Sequence, residues 1–268
     1  MACDSSLFGC NRALLVTASA PRLSKRRASS GQALAGLCSR PSLPRDCRWY
    51  NPLGMRKKWF RPSEPIRHWV EAEGCASLLD SNGVGIMVVS YNILGDHNAW
   101  NHRDLYCKVS FDLLKWESRK SLICNEICKW NADLVCLQEV DRFYDILSVM
   151  KREGYAGKYK RRTGGTRDGC AVLWKEERFQ LMEAENIEFA DFGLRDNVAQ
   201  LFVFEMCEAD SRRIVIGNIH VLFNPKRGDV KLGQVRMLLE KAYDLSEKWG
   251  NIPILVMGDF NCHLDVTC

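Results

Sequence analysis

The sequence predicts an α/β protein in which packed β-sheets carry helices on their outer faces. Three observations predict this class. Short apolar runs of strand length are mixed with amphipathic helical stretches, several predicted strands follow one another without an intervening helix, and no internal repeat occurs. A doubly wound parallel sheet is not favoured, because its strands need a crossover between neighbours.

Each predicted strand is a short run rich in Val, Ile, Leu, Phe or Cys, bounded by polar or turn residues. The predicted strands span residues 86–92, 133–140, 170–174, 197–206, 213–222 and 253–260. The segment 158–167 carries several Lys and Arg residues with two glycines and is predicted to be a basic loop.

Three helices are predicted from apolar residues at helical spacing, over 116–130, 143–152 and 229–249. Gly154 is the predicted stop of the second helix, and Asp229 is the predicted N-cap of the third. The buried stripe of the third helix is predicted to comprise Val230, Val235, Leu238, Leu239, Ala242 and Leu245.

The net charge of +5 is distributed unevenly over the 268 residues. The first 70 residues hold 13 Lys and Arg against three Asp and Glu, so the rest of the chain is mildly acidic. We predict that residues 1–75 form a disordered basic leader. Cytoplasmic or nuclear localisation is expected, and a plastid or mitochondrial transit peptide is the alternative reading of this Arg- and Ser-rich start.

Hydropathy and cysteine spacing argue against a membrane-spanning protein and against a disulfide-bonded one. No apolar run approaches the length of about 18 residues that a membrane helix needs, so a membrane-spanning protein is not expected. The 13 cysteines lack regular spacing, and several lie inside apolar runs, which indicates reduced core thiols in a reducing compartment.

Polar residues end four of the predicted strands, at Asn92, Glu139, His220 and Asp259, with Asn261 directly after the last. A carboxylate inside an apolar strand is costly unless it is paired, and a divalent cation or a buried Lys or Arg would satisfy Glu139. Each residue alone has a simpler interpretation, as a surface acid, a turn residue or a structural histidine. Their order and spacing together favour a site.

Seven segments carry a resemblance to a known family. They are VSYNILGD at 89–96, LQEVD at 137–141, YKRRTG at 159–164, DGCAVLWK at 168–175, NIHVL at 218–222, DVKLGQVR at 229–236 and GDFN at 258–261. Together they resemble the endonuclease/exonuclease/phosphatase superfamily. Within it they are similar to the poly(A) nuclease branch of carbon catabolite repressor protein four, nocturnin and angel, closest to plant members without leucine-rich repeats.

The resemblance implies a four-layer α/β sandwich over residues 84–261, with two facing β-sheets flanked by helices. It also implies a role for each strand-end residue. Glu139 matches the magnesium ligand, and Asp259 matches the residue that orients or deprotonates the attacking water. His220 matches the histidine that contacts the scissile phosphate or assists the leaving group. Asn92 matches the asparagine that helps hold the metal site and phosphate, and Asn261 matches a phosphate-binding asparagine. The implied cofactor is Mg²⁺, with Mn²⁺ as an alternative.

RNA is the expected partner, specifically the poly(A) tail; protein partners are not identified by any motif. Arg161 and Arg162 in the basic loop are predicted to contact the RNA backbone, although a solvated charged hairpin is the alternative. Trp100, His102 and Tyr106 follow the first predicted strand and are candidates for base stacking, with core packing as the alternative for Trp100.

The sequence also departs from the pattern of this family after the Gly–Asp–Phe–Asn motif. Family domains continue after the Gly–Asp–Phe–Asn motif with a further aspartate and a closing Ser–Asp–His motif, which this sequence lacks. We therefore expect a fold that is incomplete at the C-terminus, with residues 262–268 as a tail unrelated to the family.

Two functional hypotheses follow. The first is a Mg²⁺-dependent 3′-exoribonuclease of the poly(A)-shortening (deadenylase) type. The alternative is a catalytically inactive truncated isoform that at most binds RNA, or a phosphoesterase acting on a small phosphorylated metabolite.

Overall fold

The computed structural model describes residues 85–107, 109–207 and 212–262, together with the backbone of Ala13–Ala18. The strands and helices are β1 (Ala13–Ala18), β2 (Ile86–Asn92), α1 (Asp96–Asn101), α2 (Phe111–Leu114), α3 (Trp116–Trp130), β3 (Leu134–Val140), α4 (Phe143–Met150), β4 (Tyr155–Arg161), β5 (Gly169–Lys175), β6 (Phe179–Glu188), β7 (Val198–Met206), β8 (Arg213–His220), α5 (Gly228–Lys248) and β9 (Ile254–Asp259). Short 3₁₀ helices occur at Arg103–Tyr106, Lys151–Glu153 and Phe189–Phe192.

Two mixed β-sheets form the centre of the fold. The first has the strand order β1-β2-β3-β5-β4, in which β1, β2 and β3 are parallel and the β3–β5 and β5–β4 pairs are antiparallel. The second has the order β6-β7-β8-β9, and its only parallel pair among the described strands is β8–β9. The predicted class of two packed sheets, rather than one doubly wound sheet, is confirmed.

Alternating side chains divide each strand between two apolar layers, because successive residues of a strand point to opposite faces. Leu134 and Cys136 of β3 face the second sheet and pack with Phe202, Ile216 and Met257. This layer between the sheets is the central core.

The outer face of each sheet is covered by helices. On the first sheet, Val135 and Leu137 pack with Ile127 of α3 and Ile146 of α4. On the second sheet, α5 packs against β7 and β8 through an apolar cluster that includes Leu238. The result is the four-layer α/β sandwich that the resemblance implied.

Two strands within residues 85–262 were not predicted. The segment interpreted as the start of a basic loop forms β4, the edge strand of the first sheet, where Lys158 and Arg161 are exposed. Charged residues are tolerated on such an edge and discourage pairing with other chains. Strand β6 was missed because its acidic side chains alternate with apolar ones, and pairing with β7 along its length overrides their low strand propensity.

Helix α5 differs in detail from the prediction. It begins one residue earlier, and Arg227 rather than Asp229 occupies the N-cap position. Leu239 of the predicted stripe is half exposed. Gln234, which the prediction did not include, is fully buried and hydrogen-bonded. A polar residue in the buried stripe is stable there because both ends of its amide find partners.

The predicted leader over residues 1–75 is described only at β1, a strand where none was predicted, and the rest of that prediction lies outside the described residues. Residues 263–268 of the predicted tail also lie outside them. Among the helices that are described, none combines the length and apolar character needed to cross a bilayer.

Candidate active site

The site residues lie at the carboxyl ends of strands from both sheets. Asn92 ends β2 and Glu139 is the penultimate residue of its parallel neighbour β3. In the second sheet, His220 ends β8 and Asp259 ends β9, and the two residues are register partners. Parallel strands end at the same edge of a sheet, so the four polar side chains meet at one edge of the sandwich.

The carboxamide of Asn92 joins the two sheets at this edge. Its Nδ2 donates to Glu139 Oε1 and to Asp259 Oδ2, both at 2.9 Å. Its Oδ1 accepts the backbone N–H of Leu94 at 3.0 Å, which fixes the orientation of the amide. One neutral amide therefore holds two carboxylates close together.

Glu139 reaches this position through an irregular backbone. Its φ of 57° lies in the left-handed region, and the pairing of β3 with β5 shifts register between Leu137 and Val140. Such a bulge re-aims a side chain at the end of a strand, and a left-handed conformation costs a non-glycine residue about 1–3 kcal/mol. The second oxygen, Oε2, accepts the Asn98 Nδ2 of α1 at 2.9 Å.

Asp259 is held by the loop that follows β9. Its Oδ1 accepts the backbone N–H of Asn261 at 3.0 Å, while His220 Nε2 lies 3.7 Å from its Oδ2. The preceding residue must be glycine, because Gly258 has a φ of 154° and a Cβ there would collide with the backbone of Ile219. This close approach brings β9 against β8 and the Asp259 side chain beside His220.

Asn261 is largely buried and ties this loop to its surroundings. Its Nδ2 donates to the carbonyl of Val221 at 2.8 Å, and its own carbonyl accepts Lys231 Nζ at 2.8 Å. The structure therefore uses Asn261 to shape the turn beside Asp259. Its predicted role in binding phosphate stays a prediction.

A buried network of side-chain amides joins the strands that carry the site residues. Gln138 Nε2 donates to Asn218 Oδ1 at 2.9 Å, and Asn218 Nδ2 donates to the carbonyls of Leu137 and Ala171 at 3.1 and 3.0 Å. Asn218 belongs to the second sheet and its three partners to the first, so this network fixes the two sheets relative to one another. A satisfied buried network of this kind is rigid.

An ion cluster holds the loop after β2. The buried Asp96 carboxylate accepts Arg142 Nη2 at 2.8 Å, and Arg119 Nη2 lies 3.5 Å from its other oxygen. Arg119 also donates to the carbonyls of Ile93 and Leu94. Burial lowers the pKa of Arg119, and the Asp96 carboxylate opposes this shift. Helix α1, which carries Asn98, is thereby fixed to α3 and to the N-cap residue of α4.

Arg161 and Arg162 lie at the same end of the first sheet but two strands away. Arg161 pairs with Gly169, which in turn pairs with Val140. Arg161 is exposed, and its Nε donates to the Thr166 carbonyl at 2.6 Å. Arg162 forms an ion pair with the buried Asp168. No hydrogen bond between described residues joins either arginine to the carboxylate pair.

Three residues close to the site were not predicted to belong to it. Asn98 and Asn218 are polar residues whose role appears only when their contacts are known. Tyr106 was named only as a stacking candidate. Its ring is half-buried; burial raises the pKa of the phenol, and the Glu139 carboxylate raises it further.

The residues at this edge fit a hard divalent cation that keeps most of its water ligands. Among the described residues, no three His, Cys, Asp or Glu side chains form an enclosing metal centre. Mg²⁺ needs only one or two carboxylates, and Glu139 forms no ion pair with a described residue and contacts two neutral amides. Asp141 Oδ1 and His220 Nδ1 are buried without a hydrogen-bond partner in the described structure.

Comparisons with known proteins agree with the motifs. Residues 89–266 match the profile of the Endonuclease/Exonuclease/phosphatase family. The chain is 53% identical over 217 residues to carbon catabolite repressor protein 4 homolog 3 of Arabidopsis thaliana, which covers 80% of this chain and 48% of that protein. Over 185 residues it is 36% identical to protein angel homolog 2 of Mus musculus, covering 65% of this chain and 34% of that protein. The chain thus spans about half the length, or less, of these curated relatives.

Solved structures show the same relationship. ANGEL2, described as a 2′,3′-cyclic phosphatase, superposes with a TM-score of 0.62 and 36% identity, over 66% of this chain and 53% of that one. The human nocturnin catalytic domain with bound sulfate gives 0.57 and 29%, over 67% and 65%. The family match spans more than half of the sequence, which confirms the resemblance. The chain belongs to the endonuclease/exonuclease/phosphatase family of hydrolytic phosphoesterases, and its similarity there is to the carbon catabolite repressor protein 4 branch.

Proposed function

We propose that this chain carries part of a Mg²⁺-dependent 3′-exoribonuclease that shortens poly(A) tails. One observation carries the proposal: the Glu139 and Asp259 carboxylates meet through the Asn92 amide, without a Lys or Arg partner among the described residues, at the edge where His220 ends its strand. Unpaired carboxylates beside a histidine suit the hydrolysis of an anionic phosphodiester.

The chemistry required is the addition of water to phosphorus and the departure of the 3′ oxygen of the preceding nucleotide. Asp259 is the base that orients the attacking water and takes its proton. His220 is the donor at the scissile phosphate or at the departing oxygen. Asn92 holds both carboxylates in position, and Asn261 fixes the turn that presents Asp259.

Glu139 is the residue that would hold the divalent cation, with Asn92 and Asn98 keeping its two oxygens in place. A bound Mg²⁺ would neutralise charge on the phosphate and on the departing oxygen. Mn²⁺ has the same preference for oxygen ligands and is expected to replace it.

The substrate assignment to RNA is supported by the similarity to carbon catabolite repressor protein 4 homologs and by the exposed Arg161 at the site end of β4. An exposed guanidinium there can neutralise a backbone phosphate. Arg162 is proposed to contribute by holding Asp168 and the neighbouring turn, because its charge is already paired.

The proposal is tested by incubating the purified 268-residue chain with 5′-labelled single-stranded oligo(A), with Mg²⁺ or with excess EDTA. The expected result is a ladder of products shortened from the 3′ end in Mg²⁺ and none in EDTA. Glu139→Gln is expected to abolish the ladder. Glu176→Gln, which changes an exposed carboxylate just after β5, is the matched control and should leave it intact.

Other outcomes identify the alternatives. A folded chain that hydrolyses neither oligo(A) nor a small phosphoester in Mg²⁺ or Mn²⁺ would support an inactive isoform and overturn the proposal. Hydrolysis of small phosphorylated metabolites without shortening of RNA would move the substrate to that class.

A second candidate is the opening of 2′,3′-cyclic phosphates at RNA ends. The observation in its favour is the 36% identity to ANGEL2, which is described as a 2′,3′-cyclic phosphatase. Oligo(A) carrying a 2′,3′-cyclic phosphate separates the two reactions. Opening of the terminal phosphate without loss of nucleotides would support this candidate over the exonuclease.

A further inference from the structure

A pair of exposed aromatic rings lies on the segment that follows the candidate site. Trp100 is 48% exposed and Phe111 45% exposed. Their centroids are 5.7 Å apart in an edge-to-face arrangement. With Arg103 they form a surface that we call the aromatic platform. Large apolar rings left exposed as a pair indicate a surface that another molecule covers.

Arg103 gives this platform a positive charge. Its guanidinium carbon lies 4.9 Å from the Trp100 centroid and 5.1 Å from the Phe111 centroid. Arg103 forms no ion pair with any residue that the structure describes. Lys115 also lies over Phe111, at 5.1 Å, but its charge is offset by Asp112 at 2.8 Å. The charge available to a ligand is therefore that of Arg103.

The platform is connected to the candidate site through helix α1 and the 3₁₀ helix that follows it. Arg103 is the first residue of that 3₁₀ helix. Helix α1 supplies both Trp100 and the Asn98 that contacts Glu139.

We propose that the aromatic platform binds the single-stranded part of the RNA substrate that precedes the cleaved bond. One base stacks on Trp100 or Phe111, and Arg103 neutralises an adjacent phosphate. Aromatic faces interleaved with an unpaired guanidinium are the features that bind single-stranded nucleic acid without sequence preference. The inference deepens the proposed function, on which it rests, by assigning a polynucleotide rather than a small phosphoester as substrate.

The test is a binding titration that does not depend on hydrolysis. Fluorescence anisotropy of 5′-labelled oligo(A) is measured with the full chain in EDTA, so that no RNA is cut. Trp100→Ala and Phe111→Ala are each expected to weaken binding at least about 5-fold. Arg103→Ala is expected to weaken it and to reduce the dependence of binding on salt concentration by about one phosphate contact.

Tyr243→Ala provides the matched control. Tyr243 is an aromatic residue of α5 that is 56% exposed and lies outside the platform and the site, so binding should not change. Circular dichroism of each variant checks that the fold is retained. Equal affinity of the three platform variants and the wild type would overturn the inference, as would absence of RNA binding by the folded wild type.

A length series separates this inference from the proposed function. In Mg²⁺, Trp100→Ala should raise the KM for long oligo(A) by a larger factor than the KM for a dinucleotide. If the wild type binds RNA through the platform but hydrolyses none, the platform is supported and the exonuclease proposal fails. If the wild type shortens RNA and the platform variants behave identically, the platform fails and the exonuclease proposal stands.

Discussion

Strand β3 has a carboxylate near each end, and the two carboxylates differ in the charge of their partners. Asp133, just before the strand, is 5% exposed and faces Lys175 Nζ at 3.7 Å and Arg178 Nη1 at 3.6 Å. It also accepts the Met87 N–H at 2.8 Å. Glu139, near the other end, has only the amides of Asn92 and Asn98 as hydrogen-bond donors among the described residues.

The difference shows which carboxylate serves the fold and which serves chemistry. At Asp133 the chain supplies its own cations, and the buried charge is fully compensated. At Glu139 the amides orient the oxygens without neutralising them, so the compensating charge must come from a ligand. A carboxylate held in this way is available to a divalent cation.

The largest effect is expected at Asp133, the end of β3 whose carboxylate is paired with cations. Asp133→Asn removes the carboxylate that compensates the positive charge of Lys175. Because Lys175 is itself buried, the substitution is expected to lower the free energy of unfolding by about 3–5 kcal/mol. Urea unfolding monitored by circular dichroism measures it. Asp191→Asn, at an exposed carboxylate, is the control. A loss as small as that of the control would show that the Asp133 cluster is not structural.

The second effect is at the unpaired end. Glu139→Gln keeps the size of the side chain but removes the charge and one of the two oxygens that accept from Asn92 and Asn98, and is expected to reduce phosphodiester hydrolysis at least about 100-fold. Its free energy of unfolding should stay within about 1.5 kcal/mol of the wild type, because the lost hydrogen bond is offset by the loss of an uncompensated charge. A destabilised but active variant would reverse the assignment of the two ends.

The third change makes the unpaired end resemble the paired one. Asn98→Lys brings an ammonium to Glu139 in place of an amide donor. We expect about 10- to 100-fold weaker divalent-cation affinity, as for other changes to groups that orient metal ligands. Isothermal titration calorimetry measures the affinity. Unchanged affinity would mean that Glu139 is not the ligand.

The smallest effect is expected from removing one of the two cations at Asp133. Arg178 is the more exposed of them, and Lys175 remains in place, so Arg178→Ala should cost about 1 kcal/mol or less. Urea unfolding again provides the measurement. A loss as large as that of Asp133→Asn would place most of the compensation on Arg178.

The sequence was most informative where local pattern and tertiary role coincide. The apolar runs that form β3 and β8 could be predicted, and so could the polar residues at their ends. Strand β6 could not, because its half-buried Glu183 and Glu185 are residues typical of helices or loops. Its strand conformation comes from pairing with β7, which no local pattern contains.

The residues of the site could be predicted from the sequence more fully than their geometry. The left-handed backbone of Glu139 is invisible in the sequence, since Glu rarely adopts that conformation. The contact of Asn98 with Glu139 depends on how α1 lies over the end of β3. The ion pair that occupies Arg162 depends likewise on the turn after β4.

The most direct test of the central claim is a titration of Mn²⁺ into the purified chain, followed by the electron paramagnetic resonance signal of the free ion. The wild type and Asp191→Asn are expected to remove Mn²⁺ from solution with the same affinity, and Glu139→Gln is expected to remove much less. Equal binding by the wild type and Glu139→Gln would contradict the claim that the unpaired end of β3 is held open for a divalent cation.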